Sequence, residues 1–177
     1  IEVITGYADG STISGQATSA GAARNFALED VTAAQELTTS YAKINGTLVT
    51  YLPPVGTKTI EIEYGIFVGH GADSTCVMHH KLSVGGTYVT NTRMTHRDDS
   101  AMNKYVVLKS ILTVDGSGDV AAGNVDSWSS AIALQLDGRE YGASSEAKLH
   151  ITRYYDGTES AGSQVVIPPS VKITAIG

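Results

Sequence analysis

The chain has 177 residues, of which 42% are hydrophobic and 17% are charged, and its formal net charge at pH 7 is −6. This length suits one domain with a substantial core. The acidic balance argues against a nucleic-acid groove, because phosphate binding requires a concentrated basic patch. No run approaches the ~18 apolar residues of a membrane span. We therefore expect neither nucleic acid nor membrane as a partner, and the single cysteine, Cys76, excludes an intramolecular disulfide.

The first 37 residues are predicted to form an N-terminal arm outside the core. Residues 6–23 are small and polar, a composition typical of an arm or linker. Residues 24–37 are the only plausible helix, but their apolar positions do not form a clean i, i+3, i+4 stripe, so an extended arm is the alternative. The predicted division is therefore an arm at 1–37, which we expect to mediate attachment, and a core domain at 38–177.

From residue 38 onward the pattern indicates successive β-strands. The clearest is Thr57–Val68, in which five apolar residues share one face: Ile60, Ile62, Tyr64, Ile66 and Val68. Asn45-Gly46 predicts a tight hairpin turn between strands at 40–44 and 47–52, because both residues tolerate positive φ. Further strands are predicted at 75–84, 87–93, 103–114, 130–141, 147–155, 165–167 and 171–176.

These strands follow one another at intervals of about 8 to 15 residues with no recurrent helix between them. Such spacing predicts an antiparallel sandwich or barrel rather than βαβ units, which would alternate strands with helices. Chain length and strand number favour an all-β antiparallel jelly-roll sandwich. Since no linker or fixed repeat follows residue 40, we expect one core domain.

No motif in the sequence indicates catalysis. The segment 142–146 lacks the second glycine of a GxSxG nucleophile elbow, and neither HExxH nor a glycine-rich phosphate loop is present. Asp115 and Asp119 resemble the start of a calcium loop but lack the later bidentate glutamate, which favours a hairpin tip. We therefore predict no enzyme activity, no catalytic residue, no cofactor and no metal site.

The histidines are predicted to be structural. His79 and His80 are adjacent, and adjacent side chains on a strand point to opposite faces, so the two cannot chelate one ion. One of them is expected to face the core. His150 lies in the predicted strand at 147–155 and is expected to face outward, since it alternates with Leu149 and Ile151.

Two groups of side chains are candidates for binding. Aromatic rings stack on sugar rings, so the candidate glycan contacts are Trp128, Tyr88, Tyr141 and Tyr154. Apolar residues outside the core faces of their strands are candidates for an interface between subunits: Phe67, Val107, Ile111 and Tyr155. Core packing is the alternative for Tyr155, and a lid over the core edge is the alternative for Trp128.

Several segments resemble virion proteins of tailed phages, especially marine phages. These segments include TTSY at 38–41, YLPPVGT at 51–57, VDSW at 125–128, IALQL at 132–136, RYYDGT at 153–158 and VKITAIG at 171–177. The resemblance covers about residues 38–177 and excludes the arm. Its motifs are structural rather than catalytic.

The resemblance implies a jelly-roll module, usually homotrimeric, that serves as a capsid decoration, head-fibre or tail-fibre protein. It implies copies of the chain itself and the major capsid, tail or fibre proteins as partners. The implied location is the virion, assembled in the host bacterial cytoplasm, whose reducing conditions suit a fold without disulfides. Two alternatives stay open: a carbohydrate-binding receptor module at a tail-fibre tip that contacts host surface glycans, and a small cupin-like or hydrolytic enzyme.

Overall fold

The computed structural model describes residues 1–15, 24–69, 75–98, 104–114, 118–142, 147–153 and 164–177. Within these ranges the chain is β-structure with two short 3₁₀ helices, Thr90–Thr92 and Val120–Ala122, so the predicted all-β class is confirmed. The strands are β1 Glu2–Tyr7, β2 Thr12–Gly15, β3 Arg24–Ala27, β4 Gln35–Glu36, β5 Ala42–Lys43, β6 Val49–Tyr51, β7 Thr59–Gly69, β8 Cys76–Val84, β9 Thr87–Tyr88, β10 Met94–Asp98, β11 Lys104–Val114, β12 Asn124–Val125, β13 Ile132–Glu140, β14 Lys148–Leu149, β15 Ile151–Arg153, β16 Gln164–Val166 and β17 Ser170–Ile176.

Two main sheets enclose one hydrophobic core. The larger sheet has the order β1-β17-β7-β11-β12, with β14 and β4 attached beside β7. The smaller sheet has the order β10-β8-β13-β5, with β6 and β9 attached to β13 and β8. Buried side chains of both sheets belong to one cluster, as expected of a sandwich. The jelly-roll connectivity stays a prediction.

Strand β7 is the centre of the larger sheet, and its predicted alternation is confirmed. Its five inward side chains are at most 1% exposed. It pairs antiparallel with β11 from Val68↔Lys104 to Thr59↔Thr113, and on its other side with β17. Because both edges of β7 are paired, its inward face lies in the middle of the core.

Residues 24–37 form no helix; they contain β3 and β4 instead. The reason is visible at Phe26 and Leu28, which are buried on either side of the exposed Ala27, a period of two rather than 3.6. An attachment role for residues 1–37 stays a prediction. Parts of this segment nevertheless belong to the sandwich, because β1 pairs with β17 along its whole length and Ile4 lies in the core cluster, whereas β2 and β3 pair with each other in a separate two-stranded sheet.

The predicted hairpin at Asn45-Gly46 is wrong in its pairing, although the turn itself is present. Strands β5 and β6 do not pair with each other; both pair antiparallel with β13, one after the other. The turn interrupts a segment whose two ends both pair with β13. Gly46 has φ +74°, and a Cβ there would lie 2.6 Å from Ala8 Cβ and 2.7 Å from Val31 Cγ2. Because position 46 carries no side chain, Ala8 and Val31 of the N-terminal segment can pack closely against the turn.

The predicted strand at 147–155 is interrupted at His150. This residue has φ +64°, the one positive φ found for a non-glycine residue in the described ranges, and it separates β14 from β15. The break turns the side chain inward, so His150 is fully buried and the outward orientation predicted for it is wrong. Its backbone remains bonded, since His150 N–H donates to Phe67 O and His150 O accepts from Ile167 N–H.

Candidate interaction surfaces

The outer face of the larger sheet carries exposed apolar side chains on β1 and β11, which are separated by β17 and β7. The strand registers place Tyr7, Ser170, Gly65 and Val107 in one row, and Val3, Thr174, Glu61 and Ile111 in another. We call this surface the larger-sheet face and define it by its exposed apolar members Val3, Tyr7, Tyr105, Val107 and Ile111. Val107 and Ile111, two of the predicted interface residues, are 58% and 57% exposed.

Ion pairs cross the middle of the larger-sheet face. Lys109 Nζ lies 2.7 Å from Glu61 Oε2 and 4.0 Å from Glu63 Oε1. Lys172 Nζ lies 3.4 Å from Glu63 Oε1 on the other side. Two lysines thus balance two glutamates across strands β11, β7 and β17. These pairs are too exposed to add much stability, but they leave the centre of the face electrically neutral.

Tyr105 is held flat against the larger-sheet face. Its hydroxyl lies 2.6 Å from Ser170 Oγ, two strands away, and the hydrogen bond crosses over Gly65. A Cβ at Gly65 would collide with the Tyr105 phenol and would lie 2.5 Å from Ser170 Oγ. The Tyr105 ring can therefore lie over position 65 only because Gly65 has no side chain.

The other two predicted interface residues differ in position. Phe67 lies on the outer side of β7 opposite Tyr105, but it is only 9% exposed, so it offers little surface to a partner. Tyr155 lies outside the described residues. The structure therefore brings Val107 and Ile111 together with Tyr105, which the sequence did not single out.

The outer face of the smaller sheet is polar and aromatic. Strand pairing sets Asp137 beside Lys81, and Arg139 beside His79. The Tyr41 and Tyr88 rings stand over Lys81 with their centres 6.4 Å apart. We call this surface the smaller-sheet face and define it by Tyr41, Lys81, Tyr88, Arg93, Asp137, Arg139 and Tyr141.

Lys81 is the centre of the smaller-sheet face. Its Nζ lies 3.4 Å from the centre of the Tyr88 ring and 3.7 Å from the centre of the Tyr41 ring, so both rings make cation–π contacts with one ammonium. Burial, followed by the charges of Arg93 and Arg139, lowers the pKa of Lys81, while Asp137 acts in the opposite direction. The Tyr88 hydroxyl donates to Asp137 Oδ2 at 2.7 Å, and this bond raises the pKa of Tyr88. The network fixes Tyr88 and Lys81 relative to each other.

The four predicted glycan contacts do not form one site. Tyr88 and Tyr141 both lie on the smaller-sheet face, and Tyr141 is 66% exposed, with its ring centre 5.9 Å from that of His79. Trp128 is buried: its indole N–H donates to Tyr51 O at 3.0 Å and its ring meets the Tyr51 ring edge to face. Trp128 therefore covers the edge of the core and does not present its ring face to a sugar. Tyr154 lies outside the described residues.

The adjacent histidines point to opposite faces, as predicted. His80 is buried and stacks on His96 with ring centres 4.9 Å apart, while His79 lies on the outer face and its Nδ1 is 2.8 Å from Thr95 Oγ1. Burial lowers the pKa of His80 to about 4, and the charges of His96 and His79 act in the same direction. Burial also lowers the pKa of His150 to about 4. These imidazoles are neutral at pH 7.

The described residues contain no group of three or more His, Cys, Asp or Glu side chains placed to hold a metal ion. Asp119, at one end of the loop considered for calcium, accepts from Ala122 N–H and caps a 3₁₀ helix; Asp115 lies outside the described residues. Cys76 is buried on β8. In the ranges that the structure covers, no helix has the length and hydrophobicity to cross a membrane.

Sequence reasoning missed the residues that organise both faces: Tyr105, Val3 and Tyr7 on the larger sheet, and Tyr41, Lys81 and Arg139 on the smaller one. Lys81 and Arg139 alternate with inward residues along β8 and β13, so their outward direction was predictable. Their proximity was not, because it depends on the pairing of those two strands.

No protein-family model matches the chain, and no curated protein matches its sequence.

Proposed function

We propose that this chain is a structural protein of a phage virion that assembles with copies of itself, as a trimer, on the particle surface. It acts there as a capsid decoration or a fibre component, with capsid, tail or fibre proteins as its other partners and no catalytic role. The sequence resemblance and the all-β architecture support this proposal. The choice of a trimer follows from the resemblance.

The larger-sheet face is the observation that carries the proposal. Four apolar side chains exposed by half or more of their surface lie on this face, Val3 and Tyr7 on β1 and Val107 and Ile111 on β11, and the ion pairs lie between the two groups. Exposed apolar side chains that share one strand, as Tyr105, Val107 and Ile111 do on β11, are typical of surfaces that bind a partner. A rigid sheet also meets a partner without the cost of ordering a loop.

The electrostatics of the larger-sheet face favour a second copy as the partner. The chain carries a net charge of −6, so two copies repel each other overall. The ion pairs of Lys109 and Lys172 with Glu61 and Glu63 make this face locally neutral. Copies can therefore approach through it without facing like charges, whereas a strongly charged partner would find no complement.

The experiment that tests the virion location is immunogold labelling of intact particles of the phage that encodes this chain. We expect label on the surface of purified particles and the chain among their proteins after washing at high salt. Particles that lack the chain, together with abundant free chain in the lysate, would contradict the proposal.

A second candidate function is glycan recognition, favoured by the position of Tyr88 and Tyr141 on the same outer face. Tyrosine rings beside hydrogen-bonding polar groups are suited to sugars, because ring faces pack on the apolar side of a pyranose. This function is compatible with assembly, since the smaller-sheet face and the larger-sheet face lie on opposite sides of the sandwich.

A further inference from the structure

The smaller-sheet face is cationic on an acidic protein. Lys81, Arg93 and Arg139 lie close enough to one another that the two arginines lower the pKa of the lysine. Asp137 is the carboxylate whose negative charge acts on Lys81 in the opposite direction. Nearby Lys43 is already neutralised by Glu29, whose Oε2 is 2.8 Å from Lys43 Nζ. Three positive groups against one negative group give this patch a charge opposite to that of the whole chain, which is −6.

The three cationic side chains of this patch differ in their exposure and contacts. Lys81 is only 9% exposed and lies between the Tyr41 and Tyr88 rings, so it holds those rings in place. Arg93 is exposed and has no salt-bridge partner among the described residues. Arg139 is half-buried, with its Cζ 5.4 Å from the centre of the Tyr41 ring and its Nη1 donating to Thr39 O and Glu140 O. These bonds leave further guanidinium N–H donors for a ligand.

The aromatic side chains of the patch supply apolar contact next to the charge. Tyr141 is the most exposed of them, and Tyr41 and Tyr88 are half-buried. The Tyr88 hydroxyl is fixed by Asp137, and Asp137 also accepts from Gln135 Nε2. Because these groups are already fixed by internal bonds, a ligand that contacts them meets a preorganised surface.

We propose that the smaller-sheet face binds an acidic polysaccharide. Arg93 and Arg139 pair with the carboxylates of its sugars, and Tyr41, Tyr88 and Tyr141 contact the sugar rings. Guanidinium groups bind carboxylates through paired N–H donors, and tyrosines pack on pyranose faces. This inference deepens the glycan-recognition candidate and rests on it; it does not depend on self-association.

Two other occupants fit the charges less well. A second copy of the chain through this face would set one positive patch against another. A nucleic acid offers phosphates to the arginines, but affinity for a polyanion grows with the number of cations that contact it, and this patch has three, one of them largely covered by tyrosines. Asp137 repels phosphates and carboxylates alike, but it can accept hydrogen bonds from the hydroxyl groups of a polysaccharide.

The test is calorimetric titration of the whole chain with alginate, a polymer of uronic acids, at low and at high ionic strength. Neutral dextran and a single-stranded thymidine oligonucleotide are the comparison ligands. We expect binding of alginate that weakens as salt rises, and no binding of dextran. Absence of alginate binding, or binding of the oligonucleotide at least as tight as that of alginate, would overturn the proposal.

Variants locate the binding site on the protein. Arg93→Gln and Arg139→Gln are each expected to weaken alginate binding about tenfold, the loss of one charge-assisted contact. Lys58→Gln is the matched control, because Lys58 is an exposed lysine at a different position in the fold, and it should leave the affinity unchanged. Equal weakening by the control would overturn the assignment to this face. The mass of each variant in solution shows whether the variant still self-assembles, so that a loss of alginate binding can be distinguished from a loss of assembly.

Discussion

The Tyr105 hydroxyl meets Ser170 Oγ at 2.6 Å across Gly65, so a residue of β11 is tied to β17 over the strand between them. This bond orders the larger-sheet face at the point where Val107 is exposed, since Val107 pairs directly with Gly65. The glycine is required by the approach of the tyrosine above it, because a Cβ would collide with the phenol.

Gly65→Ala is expected to displace Tyr105 and to lower the free energy of unfolding by about 1–2 kcal/mol, the usual cost of an extra methyl group in a packed site. Tyr105→Phe removes only the hydrogen bond and should cost less, about 0.5–1 kcal/mol. Urea denaturation of both variants measures the difference. Equal stability of Gly65→Ala and the natural chain would show that Tyr105 has room to move aside.

Ile4→Ala tests whether the N-terminal segment belongs to the core. Ile4 is 4% exposed and lies on β1, which is paired with β17. We expect a loss of about 2–4 kcal/mol in urea denaturation, as for other buried isoleucines. Thr5→Ala, its exposed neighbour on the same strand, is the control and should change stability by less than about 0.5 kcal/mol. An independent arm would instead make both variants neutral.

Stability should fall when the pH drops from about 6.5 to about 4. His80 and His150 have folded-state pKa values near 4, below the ordinary value of 6.5, so in this window the unfolded chain binds more protons than the folded one. Below pH 4, each of these histidines lowers the free energy of unfolding by about 3 kcal/mol; above pH 6.5 it causes no such loss. Urea denaturation across this range measures the slope.

His80→Phe identifies the contribution of one histidine to that slope. The phenyl ring cannot be protonated, and it keeps a ring in contact with His96, whose centre lies 4.9 Å from that of His80. We expect a smaller loss of stability on acidification than in the natural chain. If the pH dependence of the free energy of unfolding were unchanged in this variant, protonation of His80 would not destabilise the fold.

Lys81→Met tests the centre of the smaller-sheet face. It keeps most of the side-chain volume but removes the ammonium that contacts the Tyr41 and Tyr88 rings and faces Asp137. We expect a loss of about 1–2 kcal/mol, since both cation–π contacts are lost and Asp137 loses a nearby positive charge. Lys58→Met, at an exposed site, should be neutral in the same denaturation experiment.

The strand pattern was predictable wherever alternation ran long. β7, β8, β11, β13 and β17 all fall within one or two residues of their predicted bounds. The alternation of apolar and polar residues is a local property of the sequence, so it can be recognised without knowing which strands pair. The same reasoning showed that His79 and His80 point to opposite faces, but not which of them is buried.

Pairing was not predictable, and the errors follow from that. Asn45-Gly46 forms a turn, but its two flanking strands both pair with β13, at positions about ninety residues away in sequence. His150 fits the alternation of the sequence, but it is buried next to buried Leu149, because its positive φ breaks the strand between β14 and β15. The clustering of Tyr41, Lys81 and Arg139 likewise depends on the arrangement of β5, β8 and β13 in one sheet.

The central claim, self-assembly through the larger-sheet face, is tested most directly by the mass of the chain in solution, measured by light scattering over a range of concentrations. We predict a trimer for the natural chain and a monomer for the Val107→Glu/Ile111→Glu variant, whose two new charges would be buried without partners in the interface. Val165→Glu, at an exposed valine of β16, which pairs with β15 outside the two main sheets, should remain a trimer. A natural chain that stays monomeric at the highest concentration, or a double variant that still forms the trimer, would contradict the claim.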